Sequence, residues 1–407
     1  MAGPFSHIRV LDLSRILAGP WAAQMLADLG AEVIKIERRG EGDDTRKWGP
    51  PFLKDADGKE TAESAYYLST NRGKKSVTVD LAKPRGQALV ATLADRSQVV
   101  IENFRVGGAA RFGLDYETLA ARNHGLVYCS ITGFGQTGPY RDRGGYDFMI
   151  QAMGGLMSIT GESDDRPGGG PQKAGLAVSD LFTGMYASVA INAALAHRER
   201  TGEGQHIDMA LLDSTVAILS MMASNYFLSG TPPTRMGNAH PNVAPYRLFA
   251  TADGHIVVAI GNDAQFGRYC TEIGLPAIAA DPRFCDNSAR LASRDALDTI
   301  LSQAMMARTT GEWLSAFEAV NVPSAPVNDV AQVFADPQVI ARGMKIGLAH
   351  ELGVEAPHAA NPIKLSATPV AYTGSAPTLG GQTDQVLREI LELEPQEIAA
   401  LRAENII

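Results

Sequence analysis

Asp180 stands between a glycine-rich loop and an apolar segment, in the stretch GGGPQKAGLAVSDLF. The apolar segment predicts a mostly buried helix that ends before Gly202, with Leu181, Met185 and Val189 spaced four apart on one face. An aspartate at a helix start is usually a cap for the first-turn amides. A carboxylate beside flexible glycines is also a candidate nucleophile, and we expect it to be ionised at neutral pH.

Composition limits the classes of function. The chain has 407 residues, 45% of them hydrophobic, and a net charge of -9, which disfavours a general nucleic-acid surface. The three cysteines, Cys129, Cys270 and Cys285, form no CxxC pair, so we expect neither a metal site nor a disulfide framework. The first residues lack a basic stretch followed by an apolar run, so we expect no signal peptide, and no apolar run reaches the roughly 18 residues that span a membrane. We therefore predict a cytoplasmic protein without a membrane or nucleic-acid partner.

Strand and helix patterns alternate along the first third of the chain. This alternation predicts an α/β fold with a mostly parallel, doubly wound, Rossmann-like sheet. We predict strands at residues 8–14, 32–37, 75–81, 99–104 and 126–135, and helices at 19–30 and from Pro84. A further strand and helix follow from 204 to about 228.

The composition changes after residue 228. Residues 229–246 are rich in Pro, Gly and Asn, and a hairpin with an Asp253-Gly254 turn follows. We predict domain segments 1–228, 229–330 and 331–407, the middle one a smaller α+β domain. In the last segment we expect a strand at 362–370, a cap at Thr383 and a final helix from Pro395.

Basic and amide side chains collect where the predicted strands end. Ligands of open parallel sheets bind beyond these carboxyl ends, and several cations there suit a ligand with several phosphates. The chain has neither GxGxxG after its first strand nor GxxxxGK[ST], which disfavours a conventional dinucleotide or P-loop enzyme. The residues at or near these ends are Arg15, Ile16, Leu17, Arg38, Arg72, Lys74, Asn103 and Arg111.

With these segments laid out, the chain resembles the class III coenzyme A transferases. The resemblance covers nearly the whole sequence and is carried by VLDLSRILAGPWAAQMLADLGAEVIKIE, NRGKKSVTVDL, VVIENFR, SITGFGQTGP, GYDFMIQAMGGLMSITG, TGEGQHIDMALLDS and LGGQTDQVLREIL. It implies an interlocked homodimer whose large domain combines the N-terminal part with the returning C-terminal tail. It also implies coenzyme A and acyl-CoA as substrates, with no permanently bound cofactor.

The family's nucleophile is an aspartate, and its motif falls on Asp180. A carboxylate suits CoA transfer because it can itself become an activated acyl group, an aspartyl-CoA thioester. The family pattern places Ile16, Leu17, Arg38, Asn103, Arg111, Phe112 and Tyr146 around CoA, and we add Arg72 and Lys74 from their charge and position. Gly237, in RMGNAH, resembles the family's mobile glycine loop over the site.

The acids to be exchanged are suggested by the segment ASNYFLSG and by residues 235–266. This region is similar to family members that use succinyl-CoA and glutarate. We therefore expect succinyl-CoA as the donor and a small dicarboxylate such as glutarate as the acceptor. Arg15, Arg235 or His240 are the candidates to hold the remote carboxylate, since a buried carboxylate needs a cationic or multi-donor partner.

Two alternative functions stay open. The α-methylacyl-CoA racemases resemble this chain but need two acid/base groups, and a His precedes the Asp in their segment matching GGYDFMIQ. Here Tyr146 occupies that place, and a tyrosine that titrates near 10 is a poor base at neutral pH. A non-catalytic CoA-binding protein is the other alternative, against which the presence of Asp180 weighs.

Overall fold

The computed structural model describes residues 3–407, which divide into two compact units. The first unit comprises residues 3–156, 174–224 and 337–407, and the second comprises 157–173 and 225–336. The strands are β1 (Arg9–Asp12), β2 (Glu32–Glu37), β3 (Phe52–Lys54), β4 (Glu60–Ser64), β5 (Lys74–Thr78), β6 (Val99–Glu102), β7 (Val127–Thr132), β8 (Gln205–Ala210), β9 (Tyr246–Ala250), β10 (His255–Ala259), β11 (Ser324–Pro326), β12 (Lys345–Ala349) and β13 (Glu355–Ala359). The helices are α1 (Ala18–Asp28), α2 (Ala65–Asn71), α3 (Pro84–Asp95), α4 (Tyr116–Ala120), α5 (Asp147–Met153), α6 (Leu156–Ile159), α7 (Val178–Thr201), α8 (Leu211–Ile218), α9 (Met221–Ser229), α10 (Asp263–Glu272), α11 (Asn287–Ala292), α12 (Arg294–Met305), α13 (Thr310–Ala319), α14 (Val330–Ala335), α15 (Pro337–Ala341), α16 (Thr383–Leu391) and α17 (Pro395–Ala403).

A six-stranded sheet in the order β5-β2-β1-β6-β7-β8 forms the centre of the first unit. Every neighbouring pair in it is parallel, which confirms the predicted α/β class. The strand order reverses between β1 and β6, as in doubly wound sheets, because the chain builds one half of the sheet outward from β1 and then returns to build the other.

Apolar side chains cover both faces of this sheet. Helices α3, α16 and α17 pack on one face, and α1 and α7 pack on the other. The strands are buried on both sides: every residue of VVIE is buried, and in EVIKIE all but the first are, including the charged Lys35 and Glu37.

Helix α7 buries a face other than the one that carries Met185 and Val189. Met185 and Val189 are 47% and 66% exposed, whereas Gly184, Ala187 and Ile191 face the sheet side. A Cβ on Gly184 would lie 2.6 Å from the carbonyl oxygen of Ala18, so only glycine allows α1 and α7 to approach this closely. The prediction of a mostly buried helix is therefore wrong for the face that carries Met185 and Val189.

The C-terminal third departs from the prediction in two places. Residues 362–370 form neither helix nor strand, and the hairpin β12–β13 lies just before them instead. Helix α16 begins at Thr383, but its N-cap is Gln382, because the Thr383 hydroxyl accepts the amide of Thr78 at 3.1 Å. The predicted start of α17 at Pro395 is confirmed.

The second unit has its own core around the antiparallel sheet β11-β10-β9. The predicted hairpin is confirmed, with a turn closed by the Thr251 amide on the Gly254 carbonyl at 2.9 Å. Within residues 3–407, no single helix is long and apolar enough to cross a membrane; α8 and α9 pass that test only as a pair bent by 73°.

Candidate active site

The carboxyl ends of β1 and β6 lie side by side where the strand order reverses, the usual ligand position in such sheets. Asn103 follows β6 and bridges this gap. Its Oδ1 accepts the Arg15 amide at 2.9 Å and its Nδ2 donates to the Arg15 carbonyl at 2.7 Å. Asn103 therefore fixes the loop after β1, and this amide pairing is a structural role that the sequence did not reveal.

Asp180 is the third residue of α7, and another residue performs the capping. Oδ1 of Asp147, from the start of α5, accepts the amides of Ser179 at 2.8 Å and of Asp180 at 3.3 Å. The Asp180 carboxylate makes no hydrogen bond to any residue in the described part of the chain, 3–407. The interpretation of Asp180 as a helix cap is wrong, and its carboxylate is left available for chemistry.

The surroundings of Asp180 disfavour its charged form. Burial, and secondly the negative charge of Asp147, raise the pKa of Asp180 to about 7. The expected full ionisation at neutral pH is therefore wrong, because a carboxyl group with a pKa of about 7 titrates in the neutral range. Perturbed carboxyl groups in a cavity are frequent at functional sites.

The pH dependence of activity is expected to follow this carboxyl group. Because only the carboxylate is nucleophilic, kcat/KM should rise with pH and level off above about 7. Asp147→Asn keeps an oxygen for the two amides but removes the charge, so the midpoint should fall by roughly one pH unit. The measurement is kcat/KM from pH 5 to 9 for both proteins.

The Asp147→Asn variant also loses the hydrogen bond from Gln151 Nε2, which lies 2.6 Å from Asp147 Oδ2. Gln151→Met removes this bond without changing a charge, together with the Gln151 bonds to the Leu176 carbonyl and from the Ala174 amide, and is therefore the control for altered geometry. The midpoint of the kcat/KM profile of Gln151→Met should stay at the wild-type pH. An equal shift in both variants would mean that local geometry, rather than the charge of Asp147, sets the profile.

Asp180 lies in the wall of a cavity of about 390 Å³ in the first unit. The cavity brings together most of the residues selected from the sequence, although they come from distant parts of the chain. In addition to Asp180, these are Arg15, Ile16, Leu17, Asn103, Arg111, Phe112 and Tyr146.

Five arginines line this cavity: Arg15, Arg105, Arg111, Arg141 and Arg143. Arg15 is paired with Asp44 at 2.9 Å. The guanidinium groups of Arg105 and Arg111 have neither an ion pair nor a hydrogen bond among the described residues, so their charges are free to meet an anionic ligand. The arrangement suits a nucleophilic carboxylate that acts on an anionic substrate.

A second cavity of about 560 Å³ is adjacent to the first, since Arg15, Phe104 and Phe112 line both. It contains Arg38, which is exposed and paired with Glu41 at 2.7 Å. The two adjacent cavities share these three residues, and Arg38 lines one of them while Asp180 lines the other. Basic residues in both suit a ligand with anionic groups.

The structure does not bring Arg72 and Lys74 into either cavity. Arg72 is buried and makes a bidentate pair with Asp28 at 2.6 and 2.9 Å. Lys74 is buried and donates to Asp12, Asn71 and the Pro20 carbonyl, each at 2.9 Å. Both cations are already neutralised inside the unit, so their assignment to CoA binding is corrected.

The remaining candidates lie in the second unit. The Arg235 guanidinium pairs with Asp164, and His240 Nδ1 accepts the Asn242 amide at 3.0 Å. Gly237 has a positive φ of 58°, and its amide donates to the Gly161 carbonyl at 3.0 Å. Arg235 and His240 thus already have protein partners.

Sequence reasoning missed Asp147, Tyr66 and Arg105. Burial, followed by the charges of Asp180 and Asp147, raises the pKa of Tyr66 to about 12, which places this tyrosine in the field of both carboxylates. Asp147 could have been selected from the sequence, because it is an acidic residue at a helix start. Tyr66 carried none, because it stands in an ordinary helical segment.

Comparison with known proteins settles the family. Residues 5–383 match the model of the family described as CoA-transferase family III. The chain belongs to this family. It is 52% identical, over 96% of both sequences, to a succinate–glutarate CoA-transferase of Agrobacterium fabrum. It is 40% identical to the human succinyl-CoA:glutarate CoA-transferase, over 99% of this chain and 90% of that protein.

A solved structure agrees with the family assignment. A CaiB/BaiF family protein from Brucella suis has 48% sequence identity and a TM-score of 0.84, over 96% of this chain and all of that one. The prediction of a class III CoA-transferase is confirmed, and the family's aspartyl chemistry can be considered at Asp180.

Proposed function

We propose that this enzyme transfers CoA from succinyl-CoA to glutarate. The observation that carries the proposal is its 52% identity, over nearly the whole chain, to a succinate–glutarate CoA-transferase. The arginine-lined cavity around Asp180 supports it, because donor, acceptor and CoA are all anions. The cytoplasmic location expected from the sequence remains a prediction.

In the proposed mechanism, the Asp180 carboxylate attacks the thioester carbonyl of succinyl-CoA. The C–S bond breaks, which gives a mixed anhydride and CoA thiolate. The thiolate then attacks the aspartyl carbonyl, releases succinate and leaves an aspartyl-CoA thioester. Glutarate reverses these two steps: it attacks the thioester to form a second anhydride, and the thiolate then takes the glutaryl group and restores Asp180.

CoA is proposed to lie along the two adjacent cavities. We assign Arg38 in the larger cavity and Arg111 in the smaller one to its phosphates, and Asn103, Ile16 and Leu17 to the part of the smaller cavity that also holds Asp180. Phe112 lines both cavities, and Tyr146 stands in the wall beside Asp180. Arg72 and Lys74 have no part in this proposal, for the reason given above.

The remote carboxylate of the dicarboxylate needs a cation inside the same cavity. Arg15 satisfies this requirement but must give up its pairing with Asp44. We add Arg105, which lines the cavity without an ion-pair partner in residues 3–407. Arg235, Gly237 and His240 stay candidates through the family's loop alone.

A homodimer is part of the proposal, with the interlocked arrangement taken from the family resemblance. Its support in this chain is an exposed apolar surface on α5 and α7. The surface consists of Phe148, Met149, Met153, Phe182, Met185, Tyr186 and Val189, each at least 38% exposed. Large exposed apolar patches usually mark an interface, and a second copy of this chain is the proposed occupant.

The test uses purified protein, succinyl-CoA and a panel of glutarate, malate, itaconate, mesaconate and oxalate. Mass spectrometry follows the new thioesters and a hydroxylamine-sensitive adduct on the intact protein. Glutaryl-CoA as the main product, with the adduct on Asp180, is the expected result. No transfer to any acid, together with deuterium uptake at the α-carbon of a branched acyl-CoA in heavy water, would instead establish racemase chemistry.

A further inference from the structure

Ile16, in the wall of the Asp180 cavity, has a backbone conformation that isoleucine avoids. Its φ is 72°, in the left-handed region, where a β-branched side chain clashes with its own backbone. Four other non-glycine residues in 3–407 have positive φ, and none of them is β-branched. Such a conformation persists only when its surroundings impose it.

Asp43 supplies the constraint on Ile16. Its Oδ1 and Oδ2 accept the Ile16 amide at 3.2 and 3.3 Å, and its Oδ2 pairs with Lys35 Nζ at 2.9 Å. Lys35 Nζ also donates to the Ser14 carbonyl at 2.9 Å. The Asp43–Lys35 pair, whose side chains are 0% exposed, therefore holds the loop at two points.

The pair stays ionised although it is buried. Burial opposes the charge of Asp43, but the Lys35 ammonium and the hydrogen bonds of Thr45 outweigh it and lower the pKa of Asp43 to about 2. Burial likewise opposes the charge of Lys35, yet the carboxylates of Asp43, Asp12 and Glu37 raise its pKa. A buried ion pair often adds little to the free energy of unfolding, because removing both charges from water is costly. Its better attested role is to fix one conformation of the chain around it.

We propose that Asp43 is a positioning residue for the acyl-CoA site: together with Lys35 it holds Ile16 in the left-handed conformation that sets the Ile16–Leu17 wall beside Asp180. The role rests on the proposed function, because it assigns this wall to CoA. Without the constraint, Ile16 relaxes toward negative φ, the peptide direction changes, and the wall no longer matches the ligand.

The test is a comparison of Asp43→Asn in three backgrounds: wild type, Ile16→Gly and Ile16→Val. Glycine adopts φ 72° without strain, so it does not need Asp43, whereas valine is β-branched and keeps the strain. Isothermal titration with CoA alone gives the Kd. We expect Asp43→Asn to weaken CoA binding about tenfold in the wild-type and Ile16→Val backgrounds and less than about threefold in Ile16→Gly, a coupling between contacting residues.

An equal loss in all three backgrounds would overturn the inference, since it would mean that Asp43 affects CoA binding independently of the Ile16 backbone. No loss in any background would overturn it as well. If Asp43→Asn does not fold, Asp43→Glu keeps the charge for Lys35 while moving the carboxylate relative to the Ile16 amide, and the same comparison applies. A wild-type protein that binds no CoA would contradict the proposed function itself, and the inference with it.

Discussion

Asp180→Asn is expected to lower kcat for CoA transfer by at least about 10⁴-fold, the scale seen when a catalytic nucleophile is removed. The amide cannot form the anhydride, and no other carboxylate can take its place, because Asp147 is committed to the amides of α7. The hydroxylamine-sensitive adduct should disappear together with the activity.

The same substitution should not weaken the fold. The folded-state pKa of Asp180, about 7, lies above the ordinary value of 3.8, so folding favours the protonated form and stability falls as pH rises between these values. Asparagine removes that cost, and at pH 8 the variant should unfold at the wild-type temperature or higher. Asp57→Asn, in an exposed loop, is the chemical control and should keep full activity. More than a tenth of wild-type activity in Asp180→Asn would exclude the aspartyl mechanism.

Gly145→Ala is expected to lower kcat/KM about 100-fold, the cost of displacing catalytic groups by about an ångström. A Cβ on Gly145 would lie 2.5 Å from the Cα of Gly133, the residue after β7, and neither backbone can yield cheaply. The chain must move away from β7 at this point. Asp147, two residues further on, moves with it and takes the start of α7 out of position.

Gly175→Ala is the matched control for this substitution. Gly175 lies in the loop before Asp180, has no positive φ, and a Cβ there meets no atom within 4 Å. Its kcat/KM should stay within about twofold of wild type, as for most surface changes. Equal activities of the two alanine variants would show that the contact between Gly133 and Gly145 does not position the site.

Local patterns were sufficient to predict the framework of the first unit. Residues 32–37 were predicted as a strand and form β2 over Glu32–Glu37, because Val33, Ile34 and Ile36 are β-branched residues that favour strands. Likewise, the alternation of strands and helices implied the parallel sheet, and Gly202 ends α7 as predicted, with φ 79°. These features depend on residues that are neighbours in the sequence.

The wrong predictions concern contacts between residues that are distant in the sequence. Arg72 and Lys74 looked like ligand cations, but Asp28 and Asp12, 44 and 62 residues earlier, neutralise them. The cap of α7 comes from Asp147, 33 residues before Asp180. The raised pKa of Asp180 follows from burial, which no local sequence pattern reports.

The arrangement of the first unit has a consequence for its folding during synthesis. Helices α16 and α17 cover one face of the central sheet, and the Gln382 side chain accepts the Ser76 amide of β5 at 2.9 Å, 306 residues earlier in the chain. A ribosome must therefore translate nearly the entire message before this face is covered. Long-range closure of this kind slows folding and leaves apolar surface open to aggregation, so the nascent enzyme should depend on chaperones that hold unfinished chains.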